Sequence, residues 1–277
     1  MKTFVAKTRE KLSEFLIRSY RGGLSYGRFS RLIRNKDVKV NGKRVNKDCV
    51  LGENDVVDCF YDCEIEKSYE TIFKDDNLLV VYKKKGVFSE ELYEDLKKDF
   101  SSVYFCHRLD ANTDGLIFFA LNEESYQNLT SGFKKRTFEK YYLAKVNGVF
   151  DKKEGVLKAY LTKDENNARV KIFDKRVKGS VEIETAYRVI KEEDDCSTLE
   201  VRLLTGRTHQ IRAHLAFAGH FVLGDGKYGD DRINKAKGYD KLMLTSFRTV
   251  LHFGKDEFLY YLDGREFRLS ESKIVEY

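Results

Sequence analysis

The spacing of apolar and polar residues changes along the chain and predicts two regions of different architecture. Over residues 10–34, apolar side chains recur at intervals of three and four, which is typical of short amphipathic helices. The segment Val38-Lys-Val-Asn-Gly-Lys-Arg-Val45 alternates around Asn41-Gly42, which predicts a hairpin with a tight turn. The segment Gly52-Glu-Asn-Asp-Val-Val-Asp58 then indicates a turn that leads into a closing strand.

Beyond residue 70 the pattern is dominated by strands. Their uneven interruption by helices indicates a mixed, mainly antiparallel α+β domain rather than a regular βαβ repeat. The change of character near residues 63–70 predicts two domains, residues 1–62 and 63–277. The predicted strands are 78–82, 115–121, 138–146, 156–161, 183–190, 198–204 and 258–262, and the predicted helices are 90–99, 122–132 and 207–218.

Charge is distributed unevenly between these two regions. The formal net charge is +6, but residues 1–44 carry 13 Lys or Arg and 3 Asp or Glu, whereas residues 45–277 carry 38 and 42. A local basic excess favours phosphate binding, since each neutralised phosphate releases condensed counterions. The alternative is a set of solvated helix faces with no partner.

The basic N-terminal region resembles the αL RNA-binding domain found in some ribosomal and RNA-modifying proteins. The resemblance covers roughly residues 10–62 and rests on two short helices followed by the Val38-Lys-Val-Asn-Gly42 hairpin. It implies a small RNA-docking domain ahead of the larger one. The docking surface would comprise Arg21, Arg28, Arg31, Arg34, Lys36, Lys43 and Arg44.

Composition excludes several classes of protein. With 42% hydrophobic and 35% charged residues, the chain has the profile of a soluble globular protein. No apolar run approaches the roughly 18 residues that span a bilayer, and the charged N-terminus lacks a secretory signal. Five scattered cysteines show no zinc-type spacing and are interpreted as reduced thiols. We therefore expect a cytoplasmic protein with no membrane partner.

Two polar clusters in the second region are candidates for chemistry. The segment His107-Arg-Leu-Asp110 precedes Gly115 and a buried apolar strand, so Asp110 is expected on a turn beside the sheet. The second cluster, Gly206-Arg-Thr-His-Gln-Ile-Arg212 with His214, places Arg, His and Gln at the start of a predicted helix. Such an arrangement favours an anion site, helped by the helix dipole.

Taken together, four motifs resemble the RluA family of pseudouridine synthases, in the family's order. They are His107-Arg-Leu-Asp110, Lys140-Tyr-Tyr-Leu-Ala-Lys-Val-Asn-Gly148, the Gly206–Arg212 segment with His214, and Gly224-Asp-Gly-Lys-Tyr-Gly229. The resemblance implies a pseudouridine synthase domain, an isomerase that converts uridine to pseudouridine in structured RNA. Large-subunit ribosomal RNA is the leading substrate and transfer RNA the second, and we expect a monomer.

The resemblance also implies roles for individual residues. Asp110 matches the essential aspartate, Tyr142 the tyrosine that packs on the target base, and Arg212 the arginine that pairs with the aspartate. Structural alternatives stay open for Asp110 as a turn cap and for Tyr142 as a core residue. They also stay open for Arg207, His209 and His214 as structural hydrogen-bonding groups, and for His107 and Arg108 as residues that shape the catalytic loop. The substrate-binding candidates are His107, Arg108, Arg207, His209, Gln210 and His214.

The implied reaction explains the choice of residues. The bond from sugar to base nitrogen breaks, the base turns, and it rejoins through carbon 5 without net oxidation or group transfer. No redox cofactor, nucleotide or metal is therefore expected. Burial disfavours the charged form of a carboxylate, and an adjacent Arg212 would keep Asp110 ionised. Asp110 would then attack the sugar carbon or remove a sugar proton, and the sequence leaves both routes open.

The chain departs from the family pattern at three places. Lys84-Lys85-Gly86 stands where the family usually has Lys-Pro before the glycine, and Thr113-Asp114-Gly115 stands where Thr-Ser-Gly is common. Leu244-Thr245-Ser246 replaces a typical Leu-His-Ala. The additional carboxylate of Asp114 is expected to alter the local charge balance.

Two other function classes compete with this interpretation. A non-catalytic RNA-binding or ribosome-assembly protein would keep the fold for docking alone, and the presence of Asp110, Tyr142 and Arg212 argues against it. A base deaminase would need a His-x-Glu motif with Cys-x-x-Cys, which the sequence lacks.

Overall fold

The computed structural model describes residues 1–20, 24, 26–61, 68–164, 169–274 and 277. The chain divides into two compact units, Met1–Ser68 and Tyr69–Tyr277. The predicted domain boundary near residues 63–70 falls largely on residues 62–67, which lie outside the described residues.

The N-terminal unit combines two helices with short strands. β1, β6, β3 and β4 form one antiparallel sheet in that order, and β2 pairs with β5. Its elements are β1 (Lys2–Val5), β2 (Glu10–Lys11), α1 (Leu12–Ser19), α2 (Tyr26–Arg34), β3 (Val38–Val40), β4 (Lys43–Arg44), β5 (Val50–Leu51) and β6 (Val56–Cys59).

The predicted hairpin and closing strand of this unit are confirmed. Asn41 and Gly42 connect β3 to β4 with φ of 50° and 77°, the left-handed conformation that a tight primed turn requires at both central positions. β6 then closes the sheet between β1 and β3. Apolar residues at helical spacing, such as Leu12, Phe15 and Leu16, are buried in this unit's own core.

The C-terminal unit is built around a large mixed sheet with a few helices. Within the described residues this sheet has 11 strands, ordered β13-β12-β14-β15-β11-β16-β10-β8-β7, with β17 and β9 pairing to β16 and β10. Its strands are β7 (Tyr69–Lys74), β8 (Leu78–Lys83), β9 (Tyr104–Phe105), β10 (Asp114–Ala120), β11 (Glu139–Asn147), β12 (Glu154–Asp164), β13 (Arg169–Phe173), β14 (Val181–Glu193), β15 (Cys196–Leu203), β16 (Leu244–Val250) and β17 (Glu266–Arg268).

The sheet is antiparallel except between β10 and β16, which run parallel. Gly115 of β10 has φ of 117°, and a Cβ at this position would lie 2.2 Å from the carbonyl oxygen of Ser246. A glycine is therefore required where the two strands approach most closely. This seam lies directly after the segment that carries Asp110.

Both faces of the central strands are covered. Leu79 and Val81 of β8 belong to one core cluster, while the alternate residues Leu78 and Val80 belong to another. Helices α3 (Ser89–Asp99) and α5 (Gln210–Phe217) contribute to the first cluster and α4 (Glu123–Lys135) contributes to the second. A short helix, α6 (Asp231–Ala236), follows α5 along the chain.

One predicted strand is wrong. Residues 258–262 were expected to form a strand, but Tyr260–Leu262 is a single 3-10 turn. Leu259 and Leu262 are both fully buried, so the apolar run follows the spacing of a turn rather than the alternation of a strand. Across the described residues, no helix is long and apolar enough to cross a membrane.

Candidate active site

A cavity of about 250 Å³ opens on the C-terminal unit between the turn that carries Asp110 and the start of α5. Its walls combine residues of three motifs named above, which are His107–Asp110, Lys140–Gly148 and Gly206–Arg212. The cavity is lined by Arg108, Leu109, Asp110, Thr113, Lys140, Tyr142, Leu203, Gly206, Arg207, Thr208, His209, Gln210, Ile211, Arg212 and Leu244.

The turn that carries Asp110 is held by hydrogen bonds to its backbone before and after Asp110. The amide of Thr113 donates to the carbonyl of Asp110 over 3.0 Å and closes the turn. Before the turn, the buried hydroxyl of Ser89 donates to the carbonyl of Leu109 and accepts from its amide. After Asp110, the carbonyl of Ala111 accepts a hydrogen bond from the amide of Gly86 over 2.8 Å. Asp110 therefore projects from a fixed loop.

Lys83, at the end of β8, forms hydrogen bonds to the same loop. Its Nζ donates to the carbonyls of Val87 and Ala111, at 2.8 and 3.1 Å. Burial lowers the pKa of Lys83 to about 8, although the nearby charges of Asp114 and Asp110 oppose that shift. The side chain is fully buried, so it links two loops without reaching the solvent.

Arg212 of α5 lies between two carboxylates. Its Nε and Nη2 donate to the two oxygens of Asp225, both over 2.7 Å, and its Nη1 donates to Oδ2 of Asp110 over 3.3 Å. Burial disfavours the charge of Arg212, but the hydrogen bonds and charge of Asp225 outweigh it and raise the pKa of Arg212. Asp225 also accepts from the amides of Lys227 and Tyr228. The guanidinium is thus oriented by Asp225 as it faces Asp110.

Asp225 was missed as a site residue by sequence reasoning. It belongs to the quoted Gly224–Gly229 motif, and its side chain is fully buried against Arg212. A charged residue between two glycines was the available signal, because a short loop of this kind brings a carboxylate close to backbone amides.

Tyr142 lies on β11 and contributes to the cavity wall. It is 7% exposed and pairs in the sheet with Ser246 of β16. Burial raises the pKa of Tyr142, the Ser246 side chain opposes that shift, and the charge of Asp110 adds to it. The hydroxyl therefore keeps its proton, and the ring offers an aromatic surface beside the carboxylate.

His209 precedes α5 in the left-handed conformation, with φ of 53°. Its Nδ1 lies 2.9 Å from the hydroxyl of Tyr228, and its Nε2 lies 3.8 Å from Oδ2 of Asp110. Tyr228 also packs under the guanidinium of Arg212, 5.4 Å from its ring centroid. His209 thus reaches the same carboxylate oxygen as Arg212.

Arg108, Arg207 and Lys140 surround the cavity with positive charge. Arg108 is exposed and forms an ion pair with Glu90 at 2.8 Å. Burial lowers the pKa of Lys140, and the charge of Arg136 adds to that effect. Lys140 was quoted within a motif but not predicted as a site residue.

Two substrate-binding candidates belong to the scaffold instead. His214 is 2% exposed, and its Nδ1 lies 3.0 Å from the hydroxyl of Thr185 on β14. Gln210 borders the cavity, but its amide nitrogen donates to Glu184 and Thr185, and its oxygen accepts from Arg207. Both side chains fasten α5 to β14, because buried polar groups must be satisfied inside the fold.

His107 is also directed away from the cavity. Its Nε2 accepts a hydrogen bond from the amide of Phe118 at 3.0 Å, and its ring lies 4.0 Å from that of Phe133. Burial of the imidazole lowers the pKa of His107 to about 3, with a further contribution from Lys140. The predicted substrate contact at this position is therefore replaced by a structural one.

Asp114 and Thr245, two positions that depart from the family pattern, are in contact. Thr245 donates its hydroxyl to Oδ1 of Asp114 over 2.5 Å, and the Tyr82 hydroxyl donates to Oδ2 over 2.7 Å. Lys85, at another departure, lies 4.0 Å from the same carboxylate. The additional buried charge is thus satisfied by two hydroxyl donors and a neighbouring cation.

The basic residues predicted for docking occupy different environments. Arg28 is 5% exposed and its Nη1 lies 3.4 Å from the hydroxyl of Tyr61, so its place on the docking surface was wrong. It lies one turn before Leu32 on the buried face of α2. Arg31 is half-buried, and Arg21 lies outside the described residues. The exposed members are Arg34, Lys36, Lys43 and Arg44.

No group of three or more His, Cys, Asp or Glu side chains within the described residues is placed to hold a metal ion. The cavity offers a carboxylate between a guanidinium and an imidazole, beside an aromatic ring.

Comparison with known proteins identifies the family. A model of the RNA pseudouridylate synthase family matches residues 69–217, more than half of the chain. The chain belongs to the RluA family of RNA pseudouridylate synthases. An uncharacterised RNA pseudouridine synthase of Mycoplasma genitalium is 30% identical over 248 residues, which cover 82% of this chain and 80% of the relative.

Other proteins similar to this synthase are also named as RNA pseudouridine synthases. Ribosomal large subunit pseudouridine synthase C of Vibrio vulnificus is 30% identical over 230 residues, covering 74% of this chain and 72% of that protein. Human RNA pseudouridylate synthase domain containing 1 aligns with a TM-score of 0.60 and 25% identity, over 76% of this chain and 94% of that chain. The predicted resemblance is confirmed, and the synthase is an isomerase acting on RNA.

Proposed function

We propose that this synthase converts uridine to pseudouridine in large-subunit ribosomal RNA, with Asp110 as its catalytic carboxylate. The observation that carries the proposal is the cavity in which Asp110, Arg212 and Tyr142 meet. Relatives that match most of this chain are named for the large ribosomal subunit, which favours that RNA over transfer RNA.

Each residue has a role that follows from its geometry. The target uridine must leave its stack to enter the cavity, at a cost of a few kcal/mol. Stacking on Tyr142 would recover about 1–3 kcal/mol of that cost. Arg212 orients the carboxylate of Asp110 through its hydrogen bond to Oδ2, so that an oxygen faces the ribose. Asp110 then attacks the sugar carbon or removes a sugar proton, and both routes use the same placement.

The N-terminal unit would dock the RNA through its exposed cations. Arg34, Lys43 and Arg44 are all exposed, and the Arg44 guanidinium packs 5.6 Å from the ring centroid of Phe60. Arginines held in this way present their charge without losing much side-chain freedom on binding. We also propose that the protein acts as a monomer in the cytoplasm.

The experiment is to map pseudouridines in ribosomal and transfer RNA from a strain that lacks this chain. We expect one uridine or more of the large-subunit RNA to lose modification and to regain it when the wild-type chain is restored. Loss confined to transfer RNA would reject the ribosomal substrate, and an unchanged map in both RNAs would reject the proposed function.

A further inference from the structure

His209 occupies an unusual position beside the reacting carboxylate. Its backbone is left-handed, a conformation that a few per cent of residues other than glycine adopt. The side chain is therefore directed by the turn at residues 206–209 rather than by α5. Nδ1 faces Tyr228, and Nε2 faces Asp110.

The hydrogen-bond network assigns the proton of the His209 ring. The amide of Val170 donates to the Tyr228 hydroxyl oxygen over 2.9 Å, so this oxygen already accepts one bond. Among the described residues, Nδ1 of His209 is the acceptor within reach of the Tyr228 hydroxyl hydrogen. A neutral imidazole that accepts at one nitrogen carries its proton on the other. Nε2–H therefore faces Asp110.

The two carboxylate oxygens of Asp110 are then distinguished. Oδ2 accepts from Nη1 of Arg212 at 3.3 Å and faces Nε2–H of His209 at 3.8 Å. In the part of the chain that the structure describes, Oδ1 accepts no hydrogen bond from another side chain or amide. Oδ1 is the oxygen left for the substrate.

We propose that His209 is a positioning residue, which Tyr228 holds as the Nε2–H tautomer and which, with Arg212, fixes Oδ2 so that Oδ1 faces the ribose. The proposal rests on the proposed function. The distance of 3.8 Å would shorten once RNA fills the cavity, because catalytic hydrogen bonds are often long before substrate binds.

Burial of His209 favours the neutral ring. Burial lowers the pKa of His209, the charge of Asp110 opposes that shift, Arg212 and Lys227 add to it, and Asp225 opposes it. Burial also raises the pKa of Tyr228, so its hydroxyl keeps the proton that it donates. A neutral donor orients the carboxylate without adding a second full positive charge, which would reduce the reactivity of the oxygen.

Three variants separate this role from a merely structural one. His209→Gln keeps an amide N–H near the position of Nε2, whereas His209→Asn keeps an acceptor near Nδ1 but is too short to reach Asp110. Tyr228→Phe keeps the ring and removes the group that sets the tautomer. Thermal unfolding of each variant checks that it folds.

The readouts are single-turnover pseudouridine formation on transcribed large-subunit ribosomal RNA, RNA affinity, and nitrogen NMR of the imidazoles. We expect His209→Asn to lower the rate about 10- to 100-fold with little change in affinity, as loss of geometry at a reacting group does. His209→Gln should recover at least about a tenth of the wild-type rate. The wild-type His209 resonance should report Nε2–H, and Tyr228→Phe should mix the tautomers and lower the rate.

Other results would overturn the role of His209. They are a wild-type rate in His209→Asn, equal loss in the Asn and Gln variants, loss of RNA affinity in place of rate, or an Nδ1–H resonance. Absence of pseudouridine with the wild-type protein would instead count against the proposed function itself.

Discussion

At the scale of single residues, the site depends on a buried chain of charges from Asp225 through Arg212 to Asp110. Arg212 donates two short hydrogen bonds to Asp225, and its hydrogen bond to Asp110 is longer. Asp225 therefore orients the guanidinium, while Asp110 remains accessible to the cavity. Removing one partner from such a group leaves an uncompensated buried charge.

We predict that Asp225→Asn lowers the free energy of unfolding by about 3–5 kcal/mol, as breaking a buried pair does. Pseudouridine formation should also fall, because Arg212 loses its orientation. Urea denaturation measures the stability change. Lys171→Met, which breaks an exposed ion pair with Asp164, is the control and should cost less than about 1 kcal/mol. Equal effects of the two substitutions would contradict the role of Asp225.

His107 links pH to stability. Its pKa is lowered from 6.5 to about 3, so between these values the unfolded chain binds a proton that the folded chain does not. The stability that depends on neutral His107 is therefore complete above pH 6.5 and is lost as the pH falls toward 3, with a slope of up to about 1.4 kcal/mol per pH unit.

We predict that His107→Gln makes the free energy of unfolding less dependent on pH between about 6.5 and 4. A glutamine oxygen retains an acceptor for the amide of Phe118. Urea denaturation of both proteins at several pH values measures the slopes. Parallel stability curves for wild type and variant would show that His107 does not titrate in this way.

At the scale of elements, the sequence predicted most of the strands and helices that frame the site. The predicted strand 78–82 corresponds to β8 and the predicted helix 90–99 to α3, each within a residue at either end. The first segment is an uninterrupted apolar run and the second has apolar residues at helical spacing, so both signals are local. β16 was missed, although it lies between β10 and β11, because its place depends on pairing partners that are distant in the chain.

The site residues likewise differ in how well the sequence predicts them. Asp110 and Arg212 could be found because their motifs are local and recognisable. The contact of Arg212 with Asp225, and the anchoring of His214 by Thr185, arise from the approach of separate elements. The carboxylate between two glycines marks Asp225 as a loop residue but does not identify Arg212 as its partner, so Asp225 was not assigned to the site and His214 was predicted to bind substrate.

The parallel seam of β10 and β16 supports the Asp110 turn, and we predict that Gly115→Ala disrupts it. A Cβ there would lie 2.2 Å from the backbone of Ser246, so the strands must separate. Gly264→Ala is the matched control, because it also has positive φ but meets no atom within 4 Å.

The control should cost about 1–2 kcal/mol, the strain of a left-handed residue. Gly115→Ala should exceed about 4 kcal/mol, the range of severe core defects. Thermal and urea unfolding measure both variants. A Gly115→Ala protein as stable as the control would show that the seam tolerates separation.

At the scale of the whole molecule, most of the net positive charge lies in the N-terminal unit. Residues 1–68 carry 15 Lys or Arg and 10 Asp or Glu, whereas residues 69–277 carry 36 and 35. This division suits an enzyme whose affinity for RNA comes mainly from one unit and whose chemistry comes from the other.

We predict that the triple variant Arg34→Ala, Lys43→Ala, Arg44→Ala weakens RNA binding and flattens its salt dependence. If all three cations contact phosphates, the slope of log affinity against log salt should lose about 2–3 units. The control removes Lys97, Lys98 and Lys158, exposed lysines that each form an ion pair with a carboxylate. An unchanged slope in the first variant would reject the N-terminal unit as the docking surface.

The most direct test of the account is single-turnover pseudouridine formation by Asp110→Asn on large-subunit ribosomal RNA, measured together with RNA affinity. The substitution keeps the size of the side chain and removes its charge. We predict wild-type affinity and no detectable pseudouridine. Product formation by Asp110→Asn at a rate near that of the wild type would contradict the assignment of Asp110 as the catalytic carboxylate.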